Sequence, residues 1–175
     1  MGIAAVFDLD AESMDAINAF LNSRLNKPVY AYLPDGYKVP DHVAQINLAM
    51  YGLARAPKEW YNTNTEALKE AGFTVIPEAP CIWTHPDRQV IIFFYVDDFV
   101  IMGRKNKVEW AKDYLKQKFP MRDMGPVEWM LGVKIGRHRR HRSVYFSQET
   151  YIQKIGDCYH EFRTSPNTGK SQSQA

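Results

Sequence analysis

Two adjacent aspartates, Asp97 and Asp98, sit inside "IIFFYVDDFVIM" (residues 91–102), a run otherwise built from large apolar side chains. An unpaired carboxylate in a buried strand costs several kcal/mol, so the pair must occupy a turn or hold something positive. A hairpin of the form strand, Asp-Asp, strand meets the backbone requirement, because Asp tolerates turn conformations. A polar hairpin tip is the plain reading of such a pair. Two features point further: the flanks are heavily apolar, and an aromatic residue, Tyr95, stands close before the tip. Carboxylates presented together from a buried sheet make a seat for hard divalent cations, which take oxygen ligands. A third carboxylate lets two ions sit about 4 Å apart and clamp the attacking and leaving oxygens of a phosphoryl transfer. Asp15, expected at the end of a strand just before "AINAFL", is the candidate third member.

The elements that must position these groups can be read from periodicity. "CIWTH" and "QVIIFFYV", separated by "PDR", read as a hairpin, and "DDFVIMG" continues as a third strand. "PKEWYNTNTEALKEA", from Pro57 to Ala71, reads as a helix with Pro in its first turn and Gly72 as its stop. "KNKVEWAKDYLKQKF" is amphipathic, with Val108, Trp110, Ala111, Tyr114, Leu115 and Phe119 on its apolar side. Near the N-terminus the end of a helix is expected, then a segment reaching Asp15, then a helix over "AINAFLNSRL". "VYAYLPDGY" and "HVAQINLAMYG" read as strands, the second ending at Gly52. "VEWMLGVKIGR" and "SVYFSQ" form a second expected hairpin around the basic run Arg137 to Arg142, and "QETYIQKI" a last short helix. The order predicts an α+β domain over residues 1–156, a small antiparallel sheet with helices packed on one face. Residues 157–175 read as a polar, disordered tail.

Composition bounds the rest. A chain of 175 residues, 45% hydrophobic, is long enough for one globular core. The formal net charge of +2 says little about partners, but the concentration of arginine at 137–142 can add salt-sensitive affinity for a nucleic-acid backbone. Cys81 and Cys158 have no metal-ligand spacing and fit free thiols in a reducing compartment. No apolar stretch reaches the roughly 18 residues that span a bilayer. The start "MGIAAVF" lacks a basic leader and carries Val6 where a myristoylation signal wants Ser or Thr. An intracellular protein, cytoplasmic or nuclear and neither secreted nor membrane-bound, is the expectation.

Four ordered stretches then resemble one family, the reverse transcriptases of Ty1/copia retrotransposons. "YVDD" (Tyr95 to Asp98) is similar to their polymerase signature. "MDAINAFLNSRLNKPVYAYLPDGY" resembles their first palm motif, with Asp15, Ala19 and Phe20 in place. "LAMYGLARAPKEWY" resembles an "LYGLKQAPRAWY" box, in which Tyr51, Gly52, Leu53, Ala56, Pro57, Trp60 and Tyr61 agree and Ala54 and Arg55 replace the usual Lys and Gln. "KQKFPMRDMGPVEWMLGVKI" resembles the approach to a primer-gripping hairpin. The likeness covers roughly residues 3 to 155.

The resemblance implies a polymerase palm in which Asp15, Asp97 and Asp98 hold two Mg²⁺ ions, or Mn²⁺, for RNA-directed DNA synthesis. It implies dNTP contacts at Ala16 (through its backbone), Ala19, Phe20, Tyr51, Gly52 and Tyr95, with Phe20 excluding a 2′-hydroxyl. Phe20 is equally readable as a core residue, and Tyr51–Gly52 as a strand end. Val96, Met130, Leu131, Gly132, Arg137, Arg139 and Arg140 are implied to contact an RNA or DNA template and its DNA primer; Trp129 and Met130 also read as core. The family's fingers, thumb and RNase H segments are expected to be missing, which makes the chain a polyprotein fragment. Two other readings stay open: a catalytically dead remnant that binds nucleic acid or a partner, and an unrelated two-metal nuclease.

Overall fold

The computed structural model describes residues 1–160. The apolar run around the aspartates folds as expected into a hairpin, but its turn lies one residue earlier. Strand β6 (Val90–Tyr95) pairs antiparallel with β7 (Asp98–Gly103), and Tyr95↔Asp98 is the closing pair, so Val96 and Asp97 form the turn. Val96 takes φ 56°, a region that β-branched residues seldom occupy.

The remaining elements follow in chain order. Helix α1 (Gly2–Val6) precedes strand β1 (Asp10–Ala16), and a 3₁₀ turn (Ala19–Asn22) leads to β2 (Arg24–Tyr32) and β3 (Val43–Leu48). Helix α2 (Ala56–Glu70) is followed by β4 (Thr74–Ile76) and β5 (Ala79–His85), which pairs with β6. After β7 come helix α3 (Lys105–Lys118), β8 (Met121–Pro126), β9 (Trp129–Met130), β10 (Val133–His138), β11 (Ser143–Ser147) and helix α4 (Glu149–His160). The architecture is α+β. One antiparallel sheet carries the order β4-β5-β6-β7-β1-β8, with β9-β10-β11 and β2-β3 as separate small sheets.

The main core lies between the six-stranded sheet and helices α2 and α3. Met14, Phe94, Phe99 and Ile101 from the sheet meet Trp60 and Leu68 of α2 and Val108 and Leu115 of α3. Period-2 alternation places their neighbours on the opposite face, where Ala11, Val100 and Met102 pack with Ala4 of α1 and Ile135 of β10. The two long helices therefore do cover one face. The other face is covered in part by α1 and the β9–β11 sheet.

Three sequence expectations change. The helix read over "AINAFLNSRL" shrinks to the 3₁₀ turn. Asn18 enters it at φ 52°, and the Asn22 amide donates to the carbonyls of Ile17, Asn18 and Ala19, which a continuing helix would have paired with its own N–H groups. Ile17 and Leu21, which would lie on the apolar side of such a helix, are exposed. The strand read through "VEWMLGVKIGR" is broken: Met130 pairs with Val133, and Leu131 and Gly132, at φ 48° and 77°, form a tight turn between β9 and β10. Positive φ at both central residues is the type I′ pattern that matches the twist of paired strands. Finally, α4 runs on past Gly156 to His160, and the tail from residue 161 onward lies outside the described residues.

Candidate active site

Strand register assembles the aspartates. Asp15 on β1 lies directly opposite Asp98 on β7. The Ala16 N–H donates to the Asp97 carbonyl at 2.8 Å. That bond flanks the Asp15↔Asp98 pair and makes it a non-hydrogen-bonded antiparallel pair, the class with the closest side chains and Cα atoms about 4.5 Å apart. Across the sheet, Tyr95↔Asp98, Asp98↔Asp15 and Asp15↔Arg122 continue the same row over β6, β7, β1 and β8, so all four side chains share one face. Asp97 stands one residue along, in the turn. Asp15 and Asp98 open into a cleft of about 360 Å³ shared with Ser13, Arg122, Glu128 and Trp129.

The electrostatics of the row are those of crowded carboxylates. Partial burial raises the Asp98 carboxyl above its ordinary value, and the charges of Asp97 and Asp15 push it in the same direction. Among the described residues none of the three aspartates forms an ion pair, although Arg122 is Asp15's strand neighbour. Hard oxygen donors and mutual repulsion suit a divalent cation. Among the described residues, however, no three His, Cys, Asp or Glu side chains stand as a ready ligand set. The aspartates form an open neighbourhood, not a closed cage.

Of the other candidates, Phe20 and Tyr51 come together, with ring centroids 4.5 Å apart. Phe20, like Ala19 beside it, is buried, whereas Tyr51 is exposed just before Gly52, whose φ of 94° turns the chain toward α2. Tyr95 is exposed beside Asp98. The Ala16 N–H donates to the Asp97 carbonyl and that of Ile17 to the Pro120 carbonyl.

Trp129 of β9 reaches the aspartate cleft, while Met130 and Leu131 line a separate apolar groove with Phe146. The arginine run lies elsewhere. Arg139 pairs with Asp10, at the opposite end of β1 from Asp15. Arg137 donates to the carbonyls of Leu9 and Ala4 and to Asp8, and Arg139 also meets Asp8. Arg140 is exposed. Sequence reading missed Arg122 and Glu128 at the cleft, because only the register of β8 against β1, with its bulge between Ser13 and Met14, brings them there. It also missed Lys112, which is buried on α3 and bridges Glu12 of β1 and Asp123 of β8, tying the helix beneath the site strands.

Comparison with known proteins adds the following. The family described as reverse transcriptase (RNA-dependent DNA polymerase) matches residues 1–168. The chain is 31% identical over 173 residues to the retrovirus-related Pol polyprotein from transposon TNT 1-94 of Nicotiana tabacum, covering 95% of this chain and 13% of that protein. It is 31% identical over 147 residues to a putative transposon Ty5-1 protein of Saccharomyces cerevisiae, covering 81% and 47% respectively. It is 29% identical over 157 residues to the retrovirus-related Pol polyprotein from transposon RE2 of Arabidopsis thaliana, covering 86% and 11%. The chain thus spans less than half the length of each of these relatives. Among the described residues no helix is long and apolar enough to cross a membrane.

Proposed function

We propose that this chain, which belongs to the reverse transcriptase (RNA-dependent DNA polymerase) family and within it to the Ty1/copia retrotransposon type, is the palm segment of a polyprotein polymerase that extends a DNA primer on an RNA or DNA template. The observation that carries this reading is the Asp15↔Asp98 cross-strand pair with Asp97 one residue along. When bound, a pair of Mg²⁺ or Mn²⁺ ions supplies activation of the primer 3′-hydroxyl and neutralises charge on the departing pyrophosphate. The chain's own residues do the positioning. Asp15, Asp97 and Asp98 hold the cations at the edge of the cleft. Phe20, braced by Tyr51, offers a buried aromatic edge against the sugar of a dNTP, and Gly52 turns the backbone beside it. Trp129, on the short hairpin whose tip is Leu131–Gly132, borders the same cleft and is suited to hold the primer end.

The alternative of a nucleic-acid-binding remnant draws less support from the arginine run, because Arg137 and Arg139 are engaged by the N-terminal segment. Arg140 remains available for a phosphate contact. Primer extension on an RNA template with dNTPs tests the proposal. The expected result is Mg²⁺-dependent product that Asp15→Asn abolishes. No extension by the wild-type chain, or extension that survives Asp15→Asn, overturns it.

A further inference from the structure

The turn that carries the aspartates is held from two sides. Val96, at φ 56°, is a β-branched residue in the left-handed region, a conformation that persists only where its surroundings impose it. Beyond the closing pair Tyr95↔Asp98 the strand ladder no longer binds the turn. Two other hydrogen bonds do. The Ala16 N–H of β1 donates to the Asp97 carbonyl at 2.8 Å. The indole N–H of Trp60, on α2, donates to the Val96 carbonyl at 2.6 Å.

Trp60 is 2% exposed, and its ring stands edge-on to Phe119 at 5.0 Å. A buried indole N–H needs an acceptor, and the Val96 carbonyl provides it. That carbonyl shares a peptide plane with the Asp97 nitrogen. Pinning it therefore fixes the direction in which the chain enters Asp97, and with it where the Asp97 carboxylate departs from the turn. The two clamps have distinct origins. Ala16 follows Asp15 directly and ties the turn to the third carboxylate, whereas Trp60 ties it to a helix that contributes no metal ligand.

We propose that Trp60 is the positioning residue of the aspartate turn: its N–H holds the Val96–Asp97 peptide so that Asp97 and Asp98 address the same site as Asp15. The metal-binding role of those aspartates rests on the function proposed above. Packing alone does not account for the arrangement, since a phenylalanine would fill much of the same space without engaging the turn.

The test compares Trp60→Phe with Trp83→Phe in the full chain. Trp83 is equally buried, and its indole donates to the Pro80 carbonyl at 3.1 Å, away from the aspartates, so both variants lose one buried indole donor. In metal-free protein, Trp60→Phe should shift the backbone amide resonances of Ala16, Asp97 and Asp98, and Trp83→Phe should leave them in place. In a Mn²⁺ titration followed by paramagnetic resonance, Trp60→Phe should weaken binding by about 10-fold or more, the usual effect of losing an outer-shell partner, and Trp83→Phe by less than about 2-fold. Unchanged amide resonances in a folded Trp60→Phe protein overturn the positioning role whatever the metal result. Equal weakening by both variants also overturns it. A wild-type protein that binds no Mn²⁺ but shows the amide shifts leaves the positioning role supported and sinks the metal reading instead.

Discussion

Asp15 and Asp98 face each other across β1 and β7 as a non-hydrogen-bonded pair, two like charges at the closest spacing an antiparallel sheet allows. A sheet selected for stability alone would not place them so, because like charges directly opposite destabilise it, pair energies of this kind being about 0.2–1 kcal/mol. The arrangement becomes favourable when a cation sits between them.

Removing one charge should consequently stabilise the metal-free fold. Asp98→Asn is expected to raise the thermal midpoint in EDTA by about 1–4 °C, and saturating Mg²⁺ should erase or reverse that gain. A variant that melts at or below the wild type in EDTA contradicts the repulsion.

The pH dependence of two carboxylates runs in opposite directions. The folded-state pKa of Asp98 is raised above 3.8, so its penalty is present at neutral pH and disappears as pH falls through that raised value. The stability gap between Asp98→Asn and wild type should close on acidification. Burial alone would raise Asp123, but hydrogen bonds from Lys112, Lys116 and the Gly125 N–H outweigh it and bring its carboxyl to about 2. Its contribution is complete above 3.8 and is lost as pH falls toward 2, so wild type should exceed Asp123→Asn at pH 5 and match it near pH 2. Chemical denaturation across that range measures both trends, and parallel curves would contradict them.

Lys112 makes the second structural commitment. Replacing it with Met leaves Glu12 and Asp123 together beneath the sheet without their shared cation. A loss of about 1–2 kcal/mol is expected, because Lys112 is buried while Asp123 is exposed and keeps Lys116 as a partner. A loss below about 1 kcal/mol in urea unfolding would show that α3 is held by its apolar face alone.

At the hairpin tip, stability and function should separate. Leu131 is an exposed leucine in a left-handed conformation, which costs it about 1–2 kcal/mol. Asn tolerates that conformation better, so Leu131→Asn should raise the melting temperature while weakening primer affinity in a filter-binding assay. A lower melting temperature would contradict the type I′ assignment.

How far the sequence revealed these features depended on range. Helix α2, with Pro57 in its first turn and Gly72 at φ 89° after it, was legible because local chemistry sets both ends. The hairpin around the aspartates was legible from its apolar run, and Asp15 from the residues that follow it. The position of the turn was not. "YVDD" suits a tip at Asp97–Asp98 as well as one at Val96–Asp97, and the choice is made by Trp60 and Ala16, which bind the turn from elsewhere in the chain. The bridging role of Lys112 was not legible, because its two partners lie 100 residues before it and on the following strand. The arginine run looked free for the same reason, its acidic partners Asp8 and Asp10 being at the other end of the chain.

The proposed function requires Asp15, Asp97 and Asp98 together to bind the divalent cations of a nucleotidyl transfer. A Mn²⁺ titration of the wild-type chain against Asp15→Asn and Asp97→Asn decides it. Saturable binding that weakens at least about 10-fold in each variant is the expected result. Equal affinity in wild type and in Asp97→Asn would contradict it.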